Sequence, residues 1–338
     1  MVRKQLLLPL VVLVALTGGC AKQAEGPNQA VAAYDVLKSA WNEAENAEAK
    51  VALATDYLAR FPDTENSGRM ASSIVYYQGH EMKDPQGAWD VVSVALSQIK
   101  DPERRFEVGM EALTLSDSVD VPLDIATLAD ELGAVRPLTF DENEQVAVTA
   151  LDLGEWMVAD EHALGALELA TPEQVRADFP DREFTDDQVA MRVRLRQASA
   201  LTYDGWALFN MGDPELAMNR FAAADAVGSV TYLGVPNTPL YQYWGRAALA
   251  QGDVDRAIEL LSLETLFGED SSAAEPYLRE AYVAKNGSED GFDEFLWSSR
   301  SRMAKVADDF ELVDYQGNPR SLSETNGKVT LLAFWFPT

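Results

Sequence analysis

The sequence predicts a mainly α-helical protein whose last residues begin an α/β domain. From about residue 32 to residue 302 it is rich in Ala, Leu and Glu, has few β-branched runs and shows helical periodicity. Beyond Lys305 it first alternates as a strand does and then becomes a continuous apolar run. With 338 residues, of which 47% are apolar, the chain is long enough for two domains with sizeable cores.

Acidic side chains dominate, with 55 Asp and Glu against 27 Lys and Arg and a net charge of −28. A surface of this sign repels phosphate backbones and anionic lipid headgroups, so we expect no nucleic-acid partner. Cys20 is the one cysteine, which excludes an intrachain disulfide and a cysteine-based metal site. His80 and His162 each occur alone in a helical stretch, where a histidine is usually packed or exposed rather than a ligand. We therefore expect no metal and no cofactor.

The first twenty residues have the parts of an export signal. Arg3 and Lys4 precede an apolar run from Leu6 to Leu16, which is shorter than the ~20 residues that span a bilayer as a helix. Small residues and Cys20 follow. Residues 16–20 resemble the bacterial lipobox, in which signal peptidase cuts before a lipid-modified cysteine. An ordinary secretory signal with a chance cysteine is the alternative.

The lipobox resemblance implies that residues 1–19 are a lipoprotein signal peptide and that residues 20–31 form a lipidated tether. Each buried methylene of the lipid on Cys20 contributes about 0.8 kcal/mol, so several acyl chains anchor a protein durably. We therefore expect the protein to be lipid-anchored to a membrane on the periplasmic side of the cell envelope. Ala21 is not the aspartate of an inner-membrane retention signal, which slightly favours the outer membrane.

Two stretches of the helical region, Tyr203–Phe221 and Tyr243–Leu261, match each other at a spacing of 40 residues. The matched pairs are Gly205 and Gly245, Gly212 and Gly252, Asp213 and Asp253, and Ala217 and Ala257. The pattern resembles the tetratricopeptide repeat, where small residues lie at a helix crossing, a Gly-Asp turn follows, and an alanine packs the second helix on the first. We assign the residues beyond the family period of 34 to the loop Gly228–Pro239.

A weaker copy, Ala52–Asp63, ends in the Phe-Pro-Asp stop common in such repeats of exported proteins. The stretches Trp89–Ile99 and Val146–Leu169 are helical but have no clear register. The resemblance implies a repeat array over residues 32–302 with a concave surface that binds protein partners. A plain irregular helical bundle is the alternative.

Individual residues of this region are interpreted structurally. Trp206, Phe221 and Trp244 are expected to fill helix crossings rather than to bind partners. The acidic segment Asn286–Glu294 lacks the alternating spacing of a calcium loop and is interpreted as a linker. No catalytic constellation and no phosphate-binding glycine loop stands out here.

Residues 303–338 begin a second domain. Asp309–Asp314 alternates as a strand, Tyr315–Asn318 predicts a turn, and Pro319–Leu322 returns. The apolar run Val329–Phe336 is typical of a central strand that helices cover on both faces. Since no covering helix follows it and an uncovered strand invites aggregation, we expect the sequence to be a fragment that stops inside this domain.

Three segments follow one another here: Asp309-Phe310-x-Leu312-x-Asp314-x-x-Gly317, then Leu322-Ser323, then Gly327-Lys328-Val329-x-Leu331-Leu332-x-Phe334-Trp335. In order and spacing they resemble the opening of thioredoxin-like redoxin domains. The similarity is to the TlpA/ResA-like group of membrane-tethered thiol-disulfide oxidoreductases, where three residues separate the Phe-Trp pair from the first cysteine of Cys-x-x-Cys. Here the pair and those residues are Phe334, Trp335, Phe336, Pro337 and Thr338. The resemblance thus places the catalytic cysteines just after Thr338 and none within the sequence. The first would attack a substrate disulfide as a thiolate and the second would resolve the mixed disulfide.

Three functions are compatible with these patterns. The resemblance implies an envelope thiol-disulfide oxidoreductase in its complete form, which exchanges electrons with exported protein thiols or disulfides or with a membrane electron donor. The alternative within the redoxins is a peroxiredoxin-type (AhpC/TSA) peroxidase, which Phe336-Pro337 resembles and Trp335 disfavours. The non-enzymatic alternative is a lipid-anchored scaffold that recruits envelope proteins through its helices.

Overall fold

The structure is a computed structural model that describes residues 27–228, 238–268, 271–303, 308–314, 316–328 and 330. These residues are mainly helical, with one small two-stranded sheet among them. The chain divides into two units, Met1–Gly228 and Ser229–Thr338. Within the described part, no helix has both the length and the apolar character needed to cross a membrane.

The described part of the first unit consists of helices joined by short turns. The α-helices are α1 (Pro27–Glu43), α2 (Ala47–Arg60), α3 (Ser67–Ile74), α4 (Pro85–Leu96), α5 (Pro102–Leu113), α6 (Ile125–Gly133), α7 (Phe140–Leu153), α8 (Trp156–Leu169), α9 (Pro172–Asp178), α10 (Asp186–Asn210) and α11 (Pro214–Gly228). A π-helical segment, Val75–Glu81, continues α3.

Local chemistry explains where many of these helices begin. Asp101 accepts hydrogen bonds from the first free amides of α5, and Pro102 follows at a position where a helix needs no amide donor. Thr139 and Thr185 form capping boxes with Glu142 and Gln188 at the starts of α7 and α10. At the other end of α7, Gly154 adopts the left-handed conformation that terminates helices.

Helices of the first unit pack on near neighbours in chain order. In the described part, α2 packs on α3, α3 on α5, α5 on α6, and α7 on both α8 and α10. One apolar cluster spans α1 to α5, with Leu58, Ile74 and Val92 fully buried in it. A smaller cluster joins α7, α8 and α10 around Phe140. The core is therefore distributed along the unit, between successive helices.

The described part of the second unit has four α-helices and a β-hairpin. They are α12 (Leu240–Ala250), α13 (Val254–Phe267), α14 (Ser271–Asn286), α15 (Phe292–Met303), β1 (Glu311–Val313) and β2 (Pro319–Ser321), followed by a 3₁₀ turn, Leu322–Thr325. The strands are antiparallel, with Glu311 opposite Ser321 and Val313 opposite Pro319. Leu278 and Phe292 lie in the helical core of this unit.

The two matched stretches of sequence form helical hairpins with equivalent turns, α10–α11 and α12–α13. Gly212 and Gly252 both have positive φ, at 89° and 81°. Asp213 accepts a hydrogen bond at 3.1 Å from the amide three residues later, and Asp253 accepts the equivalent bond at 3.1 Å. Ala217 and Ala257 are fully buried. The predicted correspondence between the two stretches is thus present in the local geometry.

Several boundaries differ from the sequence prediction. Helix α1 begins at Pro27, inside the segment assigned to the tether, so the helical region starts before residue 32. The end of the predicted linker Asn286–Glu294 forms the first turn of α15, because Phe292 is an apolar anchor with 2% exposure. Phe61 caps the end of α2 as the Phe-Pro-Asp pattern predicts. Most of the loop Gly228–Pro239 lies outside the described residues.

Candidate functional site

An open groove of about 630 Å³ lies on the first unit. Side chains from α1, α3, the π-helical segment, α5 and α7 border it. Its lining combines three aromatic side chains with three carboxylates: Trp41, Tyr76, Tyr77, Glu65, Glu107 and Glu111. A concave site with apolar surface and a few charged groups is the usual form of a binding site.

The π-helical segment positions the aromatic side chains. The amide of Met82 donates to the carbonyl of Tyr77 at 2.9 Å, one residue further back than in an α-helix. The ring of Tyr77 lies edge-on to Trp41, with centroids 5.9 Å apart, and edge-on to Tyr76 at 5.0 Å. Lys50 Nζ donates to the Tyr77 hydroxyl at 3.0 Å and lies 4.6 Å from its ring centroid. Tyr77 is therefore fixed, whereas Tyr76 is 53% exposed at the groove.

Two of the carboxylates come from α5. Glu107 and Glu111 are four residues apart, a spacing that places them on one face of the helix. Burial raises the pKa of Glu111, and a hydrogen bond with Ser72 partly opposes that effect. Loss of water contact, followed by the nearby charge of Glu103, raises the pKa of Glu107. Both environments disfavour the charged carboxylate and would be relieved by a cation.

The cations near the groove are engaged elsewhere. In the part of the chain that the structure describes, the ion pairs of α5 join Arg104 to Asp63 and Asp101, Arg105 to Glu131, and Glu103 to Arg136. Glu107 and Glu111 form none of these pairs. The groove's own guanidinium, Arg69, donates to the Tyr34 hydroxyl at 2.7 Å. Among the described residues the groove therefore presents carboxylates without a direct ion-pair partner, although the nearby charge of Arg104 partly opposes the rise in the pKa of Glu107.

A glycine makes room for one of these carboxylates. A Cβ atom at Gly68 would lie 2.7 Å from Glu107 Oε2 and 3.1 Å from Glu107 Cβ. The Glu107 side chain thus lies directly against the backbone of α3, and a larger residue at position 68 would displace it.

A second polar cluster is closed to solvent. The Asp204 side chain, on α10, is 1% exposed, and its Oδ2 lies 2.7 Å from Arg220 Nε on α11. Burial, followed by a hydrogen bond with Asp160 on α8, raises the pKa of Asp204 to about 7. Two carboxyl groups that approach this closely favour sharing a proton. The cluster joins three helices and has the form of a structural contact.

The histidines occupy positions of the expected kind. His80 is exposed in the π-helical segment. His162 Nδ1 lies 2.9 Å from Asn143 Oδ1, and burial lowers the pKa of His162. This contact links α7 to α8. Among the described residues, no group of three or more His, Cys, Asp or Glu side chains is arranged to hold a metal ion.

The sequence-predicted site residues are only partly within the described structure. Cys20 and Phe334, Trp335, Phe336, Pro337 and Thr338 lie outside the described residues. The hairpin before them is described, and two aspartates of the redoxin-like pattern have a structural role there. Asp309 Oδ1 accepts from the Ser323 amide at 2.9 Å, while Asp314 Oδ1 accepts from the amides of Gln316 and Asn318, both at 2.9 Å.

The turn of the hairpin and the residues after its second strand are also held by backbone geometry. Gly317 has φ of 85°, a value that favours glycine. The Leu322 amide donates to the Phe310 carbonyl at 3.1 Å, which continues the pairing beyond the strands. The side chains of Leu312 and Val313 are 61% and 72% exposed.

Neither a protein-family model nor any curated protein matches this chain. The assignment of function therefore depends on the geometry of the groove and hairpin and on the sequence patterns themselves.

The groove was not identified from the sequence. Its one visible signal is the pair of glutamates at helical spacing on α5, and such a pair usually forms a solvated helix face. The aromatic contribution depends on the π-helical segment, which has no recognisable sequence signature.

Proposed function

We propose that the complete protein is a lipid-anchored thiol-disulfide oxidoreductase of the cell envelope, TlpA-like in its redoxin domain, whose helical region binds protein partners. In this proposal Cys20 carries the lipid, the helices form a tetratricopeptide-like array, and the catalytic cysteines follow Thr338. The substrates are exported protein thiols or disulfides, or a membrane electron donor.

The observation that carries the redox part is the hairpin at residues 309–323. Three of its pattern residues support the turn or the strand pairing, through the hydrogen bonds of Asp309 and Asp314 and the positive φ of Gly317. This agrees with the opening of a redoxin domain, in which such a hairpin precedes the strand leading to the nucleophile. Trp335 at the approach to that position supports the oxidoreductase over the peroxidase.

Two features support partner binding by the helices. The hairpins α10–α11 and α12–α13 share a glycine crossing and an aspartate-capped turn, which supports the repeat interpretation. The groove on the first unit crosses successive helices and carries exposed aromatic and acidic side chains, as a surface that holds an extended polypeptide would.

The decisive experiment extends the chain. The codons after Thr338 should encode a cysteine at the next position and a second cysteine three residues later. The extended protein should then reduce insulin disulfides, and replacing either cysteine by serine should abolish that activity, because thiolate attack and resolution need both.

Other results would favour the alternatives. A cysteine several residues further on, together with peroxide consumption and no insulin reduction, would favour the peroxidase. A stop codon directly after Thr338 would leave a lipid-anchored scaffold as the function of this product. Labelling with a radioactive fatty acid, compared between the native chain and Cys20→Ala, tests the anchor separately.

A further inference from the structure

The groove on the first unit has a chemistry that selects its ligand. Three carboxylates, Glu65, Glu107 and Glu111, line the groove together with one guanidinium, Arg69, which is hydrogen-bonded to Tyr34. The Lys50 ammonium is held by the Tyr77 hydroxyl, so carboxylates still outnumber cations here. The surrounding protein has a net charge of −28 and adds to the negative potential. An anionic ligand would therefore be repelled, and a cationic one attracted.

The aromatic side chains add a second preference. Tyr76 is 53% exposed beside the fixed ring of Tyr77, so about half of its surface is available to a ligand. An aromatic face attracts ammonium and guanidinium groups, and it also packs on the methylene stem of a long side chain. Lys50 already shows this contact inside the protein, with Nζ 4.6 Å from the Tyr77 centroid.

The shape of the groove indicates the size of the ligand. It is open and bordered by α1, α3, α5 and α7, so a ligand at Glu107 and Glu111 is not enclosed and can contact several helices. A small cation would fill only a small part of the groove of about 630 Å³. An extended chain would contact the carboxylates and the aromatic side chains together.

We propose that this groove binds an extended polypeptide segment of a protein partner, with a lysine or arginine side chain placed between the carboxylates of Glu107 and Glu111 and the ring of Tyr76. The proposal rests on the partner-binding part of the proposed function and makes no use of the redox part. It specifies the partner as a basic segment, complementary in charge to this acidic chain.

The test uses the full chain and a short fluorescent peptide of alternating lysine and alanine, with the same peptide carrying glutamate in place of lysine for comparison. The lysine peptide should bind saturably and more weakly as salt is added, and the glutamate peptide should not bind. Equal binding of both peptides, or no saturable binding of the lysine peptide, would overturn the proposal.

Variants locate the binding. Glu107→Gln/Glu111→Gln should weaken binding of the lysine peptide by about tenfold or more, since both charge-assisted contacts are lost. The matched control Asp90→Asn/Glu168→Gln removes two exposed charges from α4 and α8, away from the groove, and should have little effect. Equal weakening by both double variants would show only general charge attraction and would contradict the site.

Two further experiments separate the contribution of the Tyr76 ring from that of the length of the ligand. Tyr76→Ser should weaken the lysine peptide about threefold to tenfold without lowering the thermal midpoint, because the ring is exposed. Nα-acetyl-lysine amide keeps the side-chain ammonium but has no further residues, and it should fail to displace the peptide at equal concentration. Displacement by that small cation would overturn the extended polypeptide as the ligand. None of these measurements depends on residues beyond Thr338, so a redox failure and a groove failure can be told apart.

Discussion

The hairpins α10–α11 and α12–α13 share a crossing but differ at the residue before its glycine. At Gly205 a Cβ atom would lie 2.8 Å from the Phe221 ring, and at Gly245 it would lie 2.6 Å from Leu261 Cγ. The preceding residue is Asp204 in the first hairpin and Trp244 in the second. Close packing of the facing side chain against the glycine backbone thus favours glycine in both hairpins, while the neighbouring position varies.

The variation is matched by its surroundings. Asp204 is paired with Arg220, and the position equivalent to Arg220 in the second hairpin is Leu260, which is 1% exposed. Trp244 instead has the guanidinium of Arg256 4.5 Å from its ring centroid. An ion pair in one copy therefore corresponds to apolar and cation–π contacts in the other. The comparison teaches that the residues shared by the two stretches determine the crossing and the turn, and that the side chains beside the crossing differ together.

The largest loss of stability is expected when the large side chain at the helix crossing is replaced by alanine. Phe221→Ala should lower the free energy of unfolding of the first unit by about 3–5 kcal/mol, and Leu261→Ala should lower that of the second by about 2–5 kcal/mol, because both side chains are fully buried. Urea denaturation with hydrogen exchange resolved by helix measures each unit. Met191→Ala, at an exposed position of α10, is the control and should change stability by less than about 0.5 kcal/mol. A loss of stability for Phe221→Ala no larger than that of this control would show that Phe221 is not buried at the crossing.

The second prediction concerns the ion pair of the first hairpin. Arg220→Leu copies the second hairpin at one position only and leaves Asp204 buried without its cation. We expect a loss of about 1–3 kcal/mol near pH 8, below the range for fully buried pairs because Arg220 is about one-third exposed.

The pH dependence of this variant follows from the raised pKa of Asp204. The pKa is about 7 in the folded protein against an ordinary value of 3.8, so the folded state binds the proton more tightly. For the protein with Arg220, the free energy of unfolding therefore falls as the pH rises from about 4 to about 7. The charge of Arg220 lowers the pKa of Asp204, so in Arg220→Leu that pKa is higher still and the fall continues above pH 7. Near pH 5 Asp204 is protonated, and Arg220→Leu should be much less harmful. The double variant Asp204→Asn/Arg220→Leu should recover most of the loss at pH 8, and a loss that is equal at both pH values would contradict the pairing.

These hairpins also show what could be predicted from the sequence. The shared glycines, the Gly-Asp turns and the buried alanines were visible because each is fixed by local backbone geometry or by close packing at a set spacing. The strand, turn and return at residues 311–321 were visible for the same reason.

Features that depend on contacts between residues far apart in the chain could not be predicted from the sequence. Asp160 and Asp204 meet because α8 packs on α10, and neither residue carries a sign of the other in its local sequence. The groove depends on Tyr76 and Tyr77, which are placed by a π-helical segment, and on α5, which packs on α3. Cys20 and residues 334–338 lie outside the described residues, so the lipid anchor and the redox site stay predictions.

The third prediction separates the two glycines. Gly245→Ala should lower the free energy of unfolding by about 1–2 kcal/mol, since the new methyl group meets Leu261 Cγ at 2.6 Å and the Leu261 backbone nitrogen at 3.3 Å. Gly205→Ala meets the edge of the Phe221 ring and the Cβ of Arg220, at 2.8 and 3.2 Å. We expect a smaller loss there, because a ring can tilt more readily than a backbone can shift. The preference of a helix for alanine over glycine, about 1 kcal/mol, is the same at both positions and does not change the ranking. Thermal unfolding followed by circular dichroism gives the ranking, and a larger loss at Gly205 would reverse it.

The smallest effects are expected at the turns, where the two hairpins should behave alike. Asp213 and Asp253 each accept the amide of the third residue of the following helix at 3.1 Å, and each places a negative charge at a helix N-terminus. Alanine at either position should lower the free energy of unfolding by about 1 kcal/mol and reduce hydrogen-exchange protection in the first turn of α11 or α13. Serine keeps the acceptor without the charge, so it should recover most of the loss, and the remainder should shrink as salt is added. Unequal losses at the two aspartates would mean that the side chains around each hairpin, which differ between the two, affect the stability of the turn as well as that of the crossing.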